Sequence, residues 1–123
     1  MKLGRVSSAA LMLSGISGVL TPRTVGAALD LSALSTRGVA ETRAGLGGTY
    51  AALGGWALLS HDPAAQMAVG VTWLGAAAAR LASLALDRPR TDPSFWAYLV
   101  AEIGFGTAAL ASTTWNVPES VTG

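Results

Sequence analysis

Two long stretches of this chain are almost free of charge. Between Ala44 and Ala79 the single ionised side chain is Asp62, and between Ser94 and Pro118 it is Glu102. A water-soluble fold has to cover its outside with polar groups, and these stretches cannot do so. Only 12% of the 123 residues are charged, about half the usual share, and the mean hydropathy is +0.48. Length allows one domain, and a net charge of +1 argues against a nucleic-acid partner. With no cysteine, disulfides, thiolate metal sites and cysteine nucleophiles are excluded.

Proline, glycine and charge divide the chain into four apolar segments, at about residues 3–21, 39–60, 64–86 and 94–115. Each is about 19 to 23 residues long, and at about 1.5 Å per residue that spans roughly 30 Å, the hydrocarbon thickness of a bilayer. Backbone polar groups in lipid must be satisfied within the segment, so helix is the expected conformation. Pro22, Pro63, Pro93 and Pro118 fall just outside the segments, where a helix loses no internal hydrogen bond. The fold class expected is all-α: a four-helix transmembrane bundle forming one integral membrane domain over residues 1–123. The first connection has approximate helical spacing at Val25, Ala28, Leu29 and Leu31 or Ser32, which fits an interfacial helix as well as an irregular loop. Lys2 and Arg5 ahead of an apolar run also fit a secretory leader, with Val25-Gly26-Ala27 as its cleavage site. Three further spans make an uncleaved first helix the simpler expectation.

In lipid, helices associate through close backbone contact and polar bridges rather than by hiding apolar surface. Glu41, Gly45, Gly48, Ala52 and Gly55 form a stripe in the second segment, and Gly47, Ala51 and Gly55 form a second ridge. Glu102, Gly106, Ala109 and Thr113 form a similar line in the fourth. Gly45, Gly48, Gly55 and Gly106 are the expected packing positions, with dimerisation as the competing use. Trp56, Trp96 and Trp115 lie towards segment ends, at the wet-dry boundary an indole prefers, whereas Trp73 lies mid-segment and is expected to pack.

Glu41, Arg43, Arg80 and Glu102 carry the most information. An arginine in mid-helix costs about 2.5–3.5 kcal/mol on insertion scales, while a leucine or valine returns about 0.3–0.6 kcal/mol. Arg80 therefore needs a partner. The connection at 87–93 makes the third and fourth helices antiparallel, so Arg80 and Glu102 lie roughly 10 and 12 Å from the same membrane face. The second helix starts on that face too. Glu41 and Arg43 are thus expected to join Arg80 and Glu102 in one neutral cluster, with Tyr50 and Tyr98 placed to donate hydrogen bonds to it.

No catalytic constellation is present. Gly45-Leu46-Gly47-Gly48 follows no strand and lacks the Gly-Lys-Ser/Thr ending of a phosphate loop. His61, the sole histidine, sits beside Asp62-Pro63 as a turn residue. No metal, cofactor or enzymatic activity is expected. Arginine counting on the connections favours both termini outside, while the basic amino end argues the reverse.

Glu41-Thr42-Arg43-Ala44-Gly45-Leu46-Gly47-Gly48 resembles the E-x-R-A-x-x-G-G signature of the small membrane proteins of domain of unknown function 4345. Ala79-Arg80-Leu81-Ala82-Ser83-Leu84 is similar to that family's third-helix stretch, with tighter spacing, and Glu102 resembles its fourth-helix acid. The resemblance implies a four-span protein, distantly like the DoxX-type group, with no assigned chemistry. Small multidrug transporters carry an essential Glu in the first helix, and residues 6–20 here have no charge. The expected role is a structural or accessory component of the cell membrane with a buried Glu/Arg clasp, partnered by the bilayer and by itself or a larger membrane complex. The alternative is a binder or transporter of a small amphipathic solute or lipid headgroup.

Overall fold

The computed structural model describes residues 2–114, and these are helical apart from short connections. The helices are α1 (Lys2–Leu20), α2 (Pro22–Ala28), α3 (Thr36–Thr42), α4 (Thr49–Leu59), α5 (Pro63–Leu86) and α6 (Pro93–Thr114). A π-helical segment, Arg43–Gly48, joins α3 to α4. Backbone angles stay helical through both joints, so residues 36–59 form one column. Its loosened turn is marked by the Thr49 N–H, which bonds back five residues to Ala44 O.

Helix ends follow local chemistry. Pro22 and Pro63 open α2 and α5, where a missing N–H costs nothing. Asp62 caps α5 by accepting from Ala64 N at 2.9 Å, and Asp92 accepts from Phe95 N at 3.0 Å at the start of α6. Ser35 caps α3 through Gly38 N at 3.1 Å. The first connection therefore contains a short helix, α2, then a turn in which Asp30 takes φ 56°, and an unwound stretch before Ser35.

Leu3–Leu20, Pro63–Leu86 and Pro93–Thr113 are long and apolar enough to cross a membrane. Their outward faces are apolar: Leu20 and Val100 are each 71% exposed, and Leu13, Val71 and Ile103 also face outward. The buried core is small, built around Leu11, Ala57, Ala65, Val69 and Ala109. An apolar exterior around so thin a core is the pattern of a membrane protein.

α1 packs against the π segment and α4 on one side and against α6 on the other, and α5 and α6 form an antiparallel hairpin. Backbone approach is closest where glycines meet. A Cβ on Gly18 would come within 2.7 Å of Leu46 O, and one on Gly47 within 2.6 Å of Val19 N. Gly15 abuts Ala51 N, and Gly54 abuts Met12 N. The contact face of the second column is thus Gly47, Ala51 and Gly54. Gly45 and Gly48 are not packing positions: a side chain at Gly45 would meet nothing within 4 Å, and one at Gly48 would meet only its own helix at Arg43 O, 4.0 Å away. Gly55 meets only Met12 Sδ at 3.7 Å. Small residues occur on neighbouring faces of this column, so composition could not choose which face turns inward. Gly106 lies against Leu74, with a Cβ position 2.6 Å from Leu74 Cγ.

Candidate functional site

Arg80 reaches from α5 to Glu102 on α6. Arg80 Nε donates to Glu102 Oε1 and Oε2 at 3.1 and 3.0 Å, and Nη2 donates to Oε1 at 2.6 Å. The Glu102 side chain is 8% exposed and that of Arg80 23%. Two aromatic faces flank the guanidinium, with Cζ 5.1 Å from the Phe95 ring centroid and 5.7 Å from that of Tyr98. The antiparallel hairpin supplies this geometry, because it sets positions near 80 and 102 at one level of the α5–α6 pair.

The expected cluster of four charges does not form. Glu41 accepts instead from Arg37 Nε at 2.6 Å, one turn back on α3, with both side chains largely exposed. Arg43 Nη1 donates to Val19 O near the carboxyl end of α1, where that carbonyl lacks a continuing helical turn. Both charges are partnered at the periphery, and among the described residues the Arg80–Glu102 pair is the one ion pair that enters the interior. Tyr98 does not donate to the pair either: its hydroxyl donates to Ala28 O at 3.2 Å, fastening α2 to α6.

Beside the ion pair lies a cavity of about 480 Å³, within the range of small-molecule sites. α1 contributes Leu11 and Ser14, the second column Leu46 and Tyr50, and α6 Phe105 and Glu102. α5 adds Trp73, Ala76 and Arg80, and Val25 of α2 and Leu29 just after it close one end. The cavity exists because the two sides of the molecule splay: α4 and α5 touch sparingly, and the π segment hardly meets α5. Ser14 and Ser17 on its α1 wall are exposed, so the space is open to the outside rather than sealed.

Trp73 packs in the floor, its ring centroid 5.2 Å from that of Phe105 and its Nε1 donating to Ser7 O at 3.3 Å. Beyond the floor is a polar network that sequence reasoning missed. Ser7 Oγ donates to Phe105 O at 2.7 Å, joining α1 to α6, and Ser8 Oγ donates to Gln66 Oε1 at 3.1 Å. Gln66 Nε2 in turn donates to Ala57 O at 3.1 Å, so one side chain links α1, α4 and α5. Ser7 and Ser8 are fully buried. The available signal was the spacing of Ser8, Leu11, Gly15 and Gly18 along one face of α1.

No family model, curated protein or solved structure matches the chain. The functional reading therefore rests on the site itself. Among the described residues, no group of three or more His, Asp or Glu could hold a metal ion. Of the three indoles placed near segment ends, Trp56 and Trp96 are about half exposed near helix ends, and Trp115 lies outside the described residues.

Proposed function

We propose that the chain is a multi-pass protein of the cell membrane, a four-helix bundle in which residues 36–59 form the second span, and that it binds a small amphipathic molecule. One observation carries the reading: a laterally open cavity of about 480 Å³ whose wall contains the paired Arg80 and Glu102. A sealed ion-paired interior favours a purely structural role, whereas an open space beside the pair favours a bound solute. The binder thus moves ahead of the accessory component as the preferred reading. The Arg80–Glu102 pair serves both purposes, tying α5 to α6 and lending the cavity its polar end. The role proposed is binding without chemical conversion. The motif likeness to domain of unknown function 4345 is compatible with it and supplies no ligand.

The test is thermal stabilisation of the purified protein in mild detergent by a panel of small amphiphiles. Unaltered protein should be stabilised in a concentration-dependent way. Ala76→Phe, which fills the cavity from α5, should abolish the response. No shift with any compound, or an equal shift in Ala76→Phe, sinks the reading.

A further inference from the structure

We propose that the molecule taken by the cavity is uncharged, an apolar body ending in one hydrogen-bond acceptor such as an ester or ketone oxygen, and that it enters sideways from the bilayer between the second column and α5. This deepens the binding reading above and rests on it.

The first argument is charge. Both oxygens of Glu102 are taken by Arg80, so the pair is formally neutral. Glu41 and Arg43 stay away from the pair, Glu41 bonded to Arg37 and Arg43 to Val19 O. A ligand carboxylate or ammonium would bring an uncompensated charge into a partly desolvated space, where an unpaired ion is heavily penalised. An uncharged ligand avoids that cost.

The second argument is which donors remain. Trp73 spends its N–H on Ser7 O, and the Thr72 hydroxyl donates to Ala68 O at 2.8 Å. Arg80 Nη1 and the hydroxyls of Tyr50 and Ser14 make no hydrogen bond to a described residue, and all three side chains line the cavity. Among the described residues no buried side-chain nitrogen or oxygen lacks a partner, so these three groups face open space. Arg80 Nη1 can only donate, the two hydroxyls can turn to donate as well, and the Glu102 carboxylate is directed at Arg80 through both oxygens. Such a wall selects an acceptor.

The third argument is access. The second column and α5 are poorly joined beside Leu46 and Tyr50, where the π segment hardly meets α5, and Leu11, Trp73 and Phe105 provide an apolar bed beyond the ion pair. A compound dissolved in hydrocarbon reaches it without crossing water.

Bromine quenching of Trp73 provides the experiment. Trp56→Phe, Trp96→Phe and Trp115→Phe leave Trp73 as the only indole. Four probes with one brominated chain are compared at pH 8 in mild detergent: a methyl ester, the free acid, the primary amine and the plain alkane. The ester should quench saturably, and the other three should bind at least about tenfold more weakly. Tyr50→Phe should weaken ester binding alone, and an unchanged ester affinity overturns the assignment of Tyr50 as a donor to the ligand. Acid or amine binding as tight as the ester overturns the proposal while leaving a binding cavity in place. Quenching that stays linear for every probe overturns the proposal and the binding reading together. Native mass spectrometry of the unaltered protein with the same compounds should give the same ranking without any substitution.

Discussion

Arg80 grips both carboxylate oxygens of Glu102, its guanidinium flanked by the rings of Phe95 and Tyr98. Removing one partner strands the other in a nearly buried position, which costs about 3–5 kcal/mol in comparable pairs. Arg80→Ala and Glu102→Gln should each lower the melting temperature and the folded yield in detergent. The double substitution should recover part of the loss, because no unpaired charge remains. Strictly additive losses in this cycle would show that the two side chains do not act as a pair.

Backbone contact between α1 and the second column should outweigh any single hydrogen bond. Gly15→Val drives a side chain into Ala51 N, and overpacking of this kind costs about 1–3 kcal/mol or more. Ser7→Ala removes the link to Phe105 O, for which membrane helices lose about 0.6 kcal/mol on average. Melting in detergent should therefore rank Gly15→Val well below Ser7→Ala. Gly45→Ala, where a Cβ meets nothing, should be tolerated.

Tyr98→Phe keeps the ring beside Arg80 and deletes the hydroxyl that holds Ala28 O. With seven residues, α2 has little stability of its own. Hydrogen exchange over residues 22–29 should accelerate several-fold, while exchange in α5 stays as it was. Equal acceleration in both regions would assign Tyr98 to the general fold instead.

The Asp92 carboxyl is held below its ordinary value of 3.8, first by the Ser94 hydroxyl and then by the Phe95 N–H. A depressed carboxyl pKa stabilises the folded state above the unfolded value, and that stabilisation fades as pH falls through the folded value. Fraying at the start of α6 should thus increase on acidification below about pH 4. Asp92→Asn, which retains a capping oxygen without the titration, should flatten the dependence in exchange measurements. An unchanged acid response would place its origin elsewhere.

Much of the axial arrangement was legible in the sequence. Charge-free runs bounded by proline gave the long helices, and counting residues from the 87–93 connection set Arg80 level with Glu102. What escaped was rotation about each axis. Depth follows from counting residues, but facing direction needs contrast around the helix, and Ala and Gly on neighbouring faces of the second column supply little. Gly45 and Gly47 could not be told apart on that basis, although only Gly47 meets α1. Glu41 and Arg43 share the depth of the pair but bond to other partners, Arg37 one turn away and the open carbonyl of Val19. The cavity was illegible for a further reason: it depends on how far α4 and α5 diverge, which no pairwise spacing encodes.

The five-residue closure from Thr49 N–H to Ala44 O makes residues 43–48 a store of one surplus amino acid. Deleting Gly45 would let the ladder close as ordinary α-helix, leaving Gly54 against α1 and Tyr50 facing inward. The same deletion further along, at Leu53, would swing every later position by about 100° and spoil the α1 seam. Tolerance to length change in this column is therefore concentrated in a single turn, and natural insertions or deletions should gather there.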